Sequence, residues 1–173
     1  MLQQIDPDAP SPGVKIPFHG GLVTAQMFWD SDFGKVIETA AYCLQRTPNP
    51  ELERKVDHVI DLYGRLQQPD GYLSSWYQRI EPGRRWTNLR DCHELYCAGH
   101  LIEGAVAYYQ ATGKRQLLDI MCRFTDHVAA VLGTGPDQKR GYCGHEEIEL
   151  ALVKLARVTG QQKYFSSLAR ACL

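Results

Sequence analysis

No stretch of this 173-residue chain stays apolar for the roughly 20 positions a bilayer-spanning helix needs, so no such helix is expected. Charge of one sign is missing too: 19 Lys and Arg stand against 20 Asp and Glu, a formal net charge of −1. The densest basic group, Arg84-Arg85 with Arg90, is flanked by Glu81 and Asp91, which suits local ion pairs better than a face for nucleic acid. None of the six cysteines (43, 92, 97, 122, 143 and 172) forms a C-x-x-C pair. The opening residues, Met1 to Pro7, show neither the basic nor the apolar part of a signal peptide. Reduced cysteines that behave as small apolar residues, in a cytoplasmic protein, are the expectation. Nucleophile-elbow, phosphate-loop and dinucleotide fingerprints are also lacking.

What is present is helical periodicity. Residues 1–20, rich in Pro, Asp and Gly, read as an irregular leader. Asp30-Ser31-Asp32 can then cap a helix whose apolar positions are Phe33, Val36, Ile37, Ala40, Ala41 and Leu44. Thr47-Pro48-Asn49-Pro50 ends it and starts another, because proline fits the first turn of a helix but not its interior. That second helix, from about Glu51 to Gln67, carries the stripe Leu52, Val56, Val59, Ile60, Tyr63 and Leu66. Further helices are expected from Asp91 to about Tyr109, from Arg115 to Leu132, from His145 to Val158, and from Gln162 onward.

The pattern repeats. Residues 111–118 (ATGKRQLL) match residues 158–165 (VTGQQKYF), and the preceding apolar positions Ala105, Val106 and Tyr108 match Leu152, Val153 and Leu155 at the same spacing. Breaks inside each hairpin are tight, whereas the links at 68–90 and 133–144 are long and hold Trp, Tyr, Arg and Gly. Long ordered loops in a compact domain usually carry function. The expected fold is all-α: repeated helical hairpins forming part of an (α/α)6 toroid, with long loops around a pocket. Residues 21–173 would supply about three hairpins. The last helix still offers an apolar stripe from Tyr164 to Leu173, so further hairpins are expected to cover it.

Two segments could carry chemistry. In the first, residues 91–100, helical spacing puts His93, Tyr96, Cys97, His100 and Gly104 on one face, as expected where a helix lines a pocket. The alternative is that these are buried, satisfied histidines. In the second, residues 141–150, His145 falls where a long loop becomes a helix, at the mouth of any central pocket. Glu146 and Glu147 fall in its first turn, where carboxylates suit the helix dipole. Cys143 and His145 lack the matched partner pair of a zinc motif, so no metal site is expected within this chain. Trp76, Tyr77 and Trp86 either stack on a sugar or cover the barrel end.

Taken in order, FWDSD at 28–32, ETAAY at 38–42, QQPDGYL at 67–73, HELY at 93–96 with Gly99-His100, and GHEEIELAL at 144–152 resemble glycoside hydrolase family 127. The likeness runs from about residue 17 to the end. It implies an (α/α)6 toroid that removes terminal β-L-arabinofuranose from arabinose-containing oligosaccharides with retention of configuration. It also implies a zinc-held cysteine thiolate as nucleophile, further Cys and Glu ligands, and a separate Glu as acid/base. Two sugar-binding histidines of the family map onto His93 and His145. The zinc ligands, nucleophile and acid/base belong to later hairpins, and Cys92, Cys97 and Cys143 do not match them. These residues alone are therefore expected to be inactive, with zinc needed only by the complete enzyme and the rest of the barrel or a second copy as partner. Two other readings stay open: a non-catalytic helical-hairpin binding module, and a different toroid glycosidase, such as an unsaturated uronyl hydrolase, that uses Glu149.

Overall fold

The computed structural model describes residues 14–18 and 21–166. The hairpin architecture is the expected one, a two-layered arc of an (α/α)6 toroid. The leader is not. Val14–Phe18 (β1) and Gly21–Ala25 (β2) pair antiparallel, with Val14 opposite Ala25 and Phe18 opposite Gly21. This corrects the irregular reading for residues 14–18, the rest of 1–20 lying outside the described residues: Val14, Ile16 and Phe18 alternate with Lys15 and Pro17, a period of two hidden by the surrounding Pro and Gly.

The first hairpin is α1 (Trp29–Arg46) and α2 (Pro50–Leu66). Asn49 caps α2 by accepting the Leu52 amide at 3.0 Å, and Pro50 opens it, as the spacing implied. The expected Asp30-Ser31-Asp32 cap works differently. Ser31 donates back to the Phe28 carbonyl at 2.7 Å, while Asp30 is buried and accepts from the Tyr63 hydroxyl (3.0 Å) and the Ser75 amide (2.7 Å). Burial pushes the Asp30 carboxyl upward despite these bonds, which fasten α1 to α2 and to the short α3 (Ser75–Arg79). Of the α1 stripe, Ile37, Ala40, Ala41 and Leu44 are buried, but Phe33 and Val36 point outward.

The second hairpin is α4 (Glu94–Thr112) and α5 (Gln116–Val131), broken at Gly113 in the left-handed region. The helix α6 (Glu147–Thr159) follows, and helical backbone resumes at 163–166. The rest of that expected last helix lies outside the described residues. Packing is hierarchical: α4 sits between α1 and α6, α5 covers it from behind, and α2 touches α1 and α5. Glycines set the closeness. A Cβ at Gly34 would lie 2.5 Å from the backbone of His100, and one at Gly104 would lie 2.7 Å from the Gly34 oxygen, so α1 and α4 cross in backbone contact. α6 approaches α4 in the same way at Gly99, against Glu147. The three inner helices thus bring the start of α4 and the start of α6 to one end of the arc.

A candidate sugar-binding site at the ends of two long loops

His93 occupies the residue before α4 with φ 56° and ψ 13°, a left-handed conformation uncommon for a residue with a Cβ. Its Nδ1 lies 2.7 Å from the Asp91 carbonyl oxygen. A carbonyl can only accept, so Nδ1 carries the proton and the neutral ring has a bare Nε2. That Nε2 lies 3.2 Å from the Nε2 of His145, which leads into α6. His145 must therefore supply the N–H between them. Burial, and after it the neighbouring His145, lowers the pKa of His93 against the pull of the Asp91 carbonyl, which favours this neutral state.

The loops carrying the two histidines are keyed together. A Cβ on Gly144 would meet the Arg90 carbonyl oxygen at 2.3 Å, and one on Gly141 would meet the Leu89 side chain at 2.7 Å. Tyr96, one turn along α4, packs its ring 5.5 Å from His93, 4.8 Å from His145 and 4.6 Å from His100. Lys35 of α1 donates to the Tyr96 hydroxyl at 3.0 Å and to Ser31 at 3.2 Å. An open cleft beside the pair is lined by Arg90, Asp91, Tyr142, Cys143 and Glu146. The structure thus brings His93, Tyr96, His100 and His145 together. Cys97 and Gly104, expected on the same face, instead turn toward α1 and the chain leading into it: the Cys97 thiol is buried and lies 3.7 Å from the Met27 carbonyl.

The tryptophans are corrected. Trp76 is 3% exposed and donates from its indole nitrogen to Glu81 at 2.9 Å. Trp86 is 6% exposed, stacked over Phe124 and His127 and edge-on to Tyr72. The 72–93 loop folds its aromatics inward to complete the core, so neither indole, nor the buried Tyr77, presents a face to a sugar.

Below the histidine pair, His100 Nδ1 lies 3.2 Å from Glu147 and 3.6 Å from Glu103, and these three form the one group of metal-type donors among the described residues. The carboxylates already have their cations. Lys154 bonds Glu103, and Glu147 holds a proton: burial, then the facing Glu103 charge, push its carboxyl up to about 8. Burial raises Glu103 as well, but its bonds to Glu147 and Lys154 outweigh that and hold it low. No thiolate belongs to the group, so it does not fit the cysteine-zinc centre implied by the family resemblance.

This proton has a consequence for stability. The folded protein keeps on Glu147 a proton that the unfolded chain releases near 4.5, so between about 4.5 and 8 the unfolded state binds fewer protons and stability falls as pH rises. The Glu147→Gln variant, which imitates the protonated form, is expected to unfold at a higher temperature than wild type at pH 8 and at the same temperature at pH 4.5. Equal midpoints at both pH values would show that the proton is not held.

Sequence reasoning gave no site role to Lys35, Glu94 or Glu103. Glu147, read as a first-turn dipole partner, reaches across to α4 instead.

Known proteins are similar to this arrangement. A family model described as β-L-arabinofuranosidase, GH127 catalytic domain, matches residues 3–172. The non-reducing end β-L-arabinofuranosidase of Bifidobacterium longum subsp. longum is 42% identical over 154 residues, covering 86% of this chain and 22% of that protein. The crystal structure of a GH127 β-L-arabinofuranosidase from Geobacillus stearothermophilus T6 superposes with a TM-score of 0.83 at 51% identity, over 95% of this chain and 24% of that one. A second GH127 β-arabinofuranosidase structure gives 0.79 at 40% identity, over 88% and 25%. The chain therefore spans less than a quarter of the length of the curated relative it matches.

Proposed function

Because the chain belongs to the GH127 β-L-arabinofuranosidase catalytic-domain family, we propose that it forms the part of a retaining glycosidase that grips a terminal β-L-arabinofuranosyl residue. The observation that carries this reading is the 3.2 Å pairing of a bare His93 Nε2 with a His145 N–H. One sugar hydroxyl can replace that direct bond by donating its proton to His93 and accepting the His145 N–H on its oxygen. The hydroxyl is thereby matched as donor to one ring nitrogen and as acceptor from the other. Tyr96, propped by Lys35, walls the pair on the α1 side. Family membership also sets aside the uronyl-hydrolase alternative built on Glu149.

In a complete catalytic domain, zinc would keep a cysteine ionised for attack on the anomeric carbon. Cys92, Cys97 and Cys143 do not fit that role, because burial pushes each thiol upward, away from the thiolate. What these residues contribute is binding and orientation.

The test is hydrolysis of 4-nitrophenyl β-L-arabinofuranoside. A complete catalytic domain that contains these residues is expected to cleave it and to leave the α-anomer untouched, whereas a polypeptide of residues 1–173 with zinc supplied is expected to show no turnover. Turnover by the short polypeptide would place a nucleophile within these residues. Cleavage of the α-anomer alone would overturn the substrate assignment.

A further inference from the structure

We infer that Glu94 is the positioning residue for His93: its buried carboxylate ties the start and the middle of the 67–93 loop to the first turn of α4, and so holds the histidine where it meets His145. The inference rests on the sugar-binding reading of the His93–His145 pair.

Glu94 is 4% exposed and directly follows His93 in the chain. One of its oxygens accepts the Tyr72 hydroxyl at 2.5 Å, and the other accepts the Trp86 backbone N–H at 2.7 Å. Tyr72 opens the loop just after Gly71, and Trp86 lies two-thirds of the way from it to His93. Both lone-pair faces of one carboxylate are thus used to fold a long loop back on the helix it leads into. The two residues on either side of this tie, Trp86 and His93, have φ of 55° and 56°, and they are the two non-glycine residues with positive φ among the described residues. Such a conformation persists only where surrounding contacts over-determine it. Glu94 contacts one of the pair through an amide hydrogen bond and is covalently joined to the other. Arg85 lies over the Tyr72 ring at 3.9 Å and closes the tie from outside.

A merely structural acid would be an uneconomical choice here. Burying a carboxyl is unfavourable unless each oxygen is bonded, and an apolar side chain would fill the same space without that penalty. What an apolar residue cannot do is hold the Tyr72 hydroxyl and the Trp86 amide at fixed directions next to His93.

Two substitutions separate positioning from bulk stability. In Glu94→Gln the amide oxygen can accept the Trp86 N–H while the amide nitrogen donates to the Tyr72 oxygen, so the tie survives. In Glu94→Ala it is lost. The readouts are imidazole ¹⁵N spectra of a complete catalytic domain that contains these residues and its kcat/KM on the aryl β-L-arabinofuranoside. Glu94→Gln is expected to keep the Nδ1–H signature of His93 and near-wild-type kcat/KM. Glu94→Ala is expected to average the two tautomers and to lose on the order of 100-fold in kcat/KM, the effect of a misplaced contact group. Should Glu94→Ala not fold, Tyr72→Phe removes one arm of the tie and is expected to move both readouts part of the way. A folded Glu94→Ala or Tyr72→Phe protein with an unchanged His93 spectrum would overturn the inference, as would a Glu94→Gln protein as impaired as Glu94→Ala. Failure of the site reading itself looks different: His93→Ala would then retain full activity whatever Glu94 does.

Discussion

Replacing Gly34 by alanine is expected to destabilise the protein by about 2 kcal/mol or more, although alanine is the better helix former by about 1 kcal/mol. The reason lies in what the new methyl would meet. It would stand 2.5 Å from the carbonyl carbon and oxygen of His100 and 2.7 Å from the amide of Leu101, all backbone atoms of α4 that cannot rotate away. The helices must part, and their separation opens the contact in which Ile37, Ala41, Leu101 and Ala105 are buried. For a chain of this size the loss corresponds to a fall in Tm of about 4–8 °C. Gly64→Ala is the internal control. Its added methyl would lie 3.5 Å from the flexible end of Ile120, an ordinary contact, so the alanine should stabilise by about 0.5–1 kcal/mol. Thermal unfolding of the two variants should therefore shift in opposite directions. A Gly34→Ala protein as stable as wild type would mean that α1 and α4 do not cross in backbone contact.

The same crossing shows what the sequence could and could not convey. Helix positions were legible because burial repeats at 3–4 residue spacing, as in Val56, Ile60 and Tyr63 of α2, and the hairpins were legible because that pattern recurs. The outward turn of Phe33 and Val36 was not. An amphipathic stripe fixes which side of a helix is apolar, but the edge of that side buried by a neighbour depends on where the neighbour's small residues lie, here Gly104. Loops are harder still. Trp76 and Trp86 read equally well as sugar platforms or as core, and only the inward fold of the 72–93 loop decides between them. His93 could be singled out because helical spacing puts it on one face with Tyr96 and His100, and His145 because it falls where a long loop becomes a helix. That their ring nitrogens meet depends on Gly144 letting its loop rest against Arg90, a contact across 54 positions of the chain that no local pattern encodes.

The His93 and His145 pair carries the other large expected effect. A pocket built to hydrogen-bond a substrate hydroxyl loses heavily when one of its own groups is left without a counterpart. His93→Ala removes the acceptor and His145→Ala the donor, and each should lower kcat/KM of a complete catalytic domain that contains these residues about 100-fold at neutral pH. If, as proposed, the two rings grip one hydroxyl, the losses should not add: the second substitution falls on a contact already broken. Acid should act in the same direction. The folded state holds His93 neutral with its pKa below the ordinary 6.5, so as pH falls below that value the unfolded chain takes up the proton first and some folding stability is lost, and once His93 itself is protonated the acceptor is lost too.

The measurement that tests this account most directly is a double-mutant cycle on kcat/KM with wild type, His93→Ala, His145→Ala and the double variant, using an aryl β-L-arabinofuranoside. The account predicts a double variant within about tenfold of either single one, far from the roughly 10,000-fold loss that independent contacts would give. Fully additive losses, or single variants as active as wild type, would contradict it.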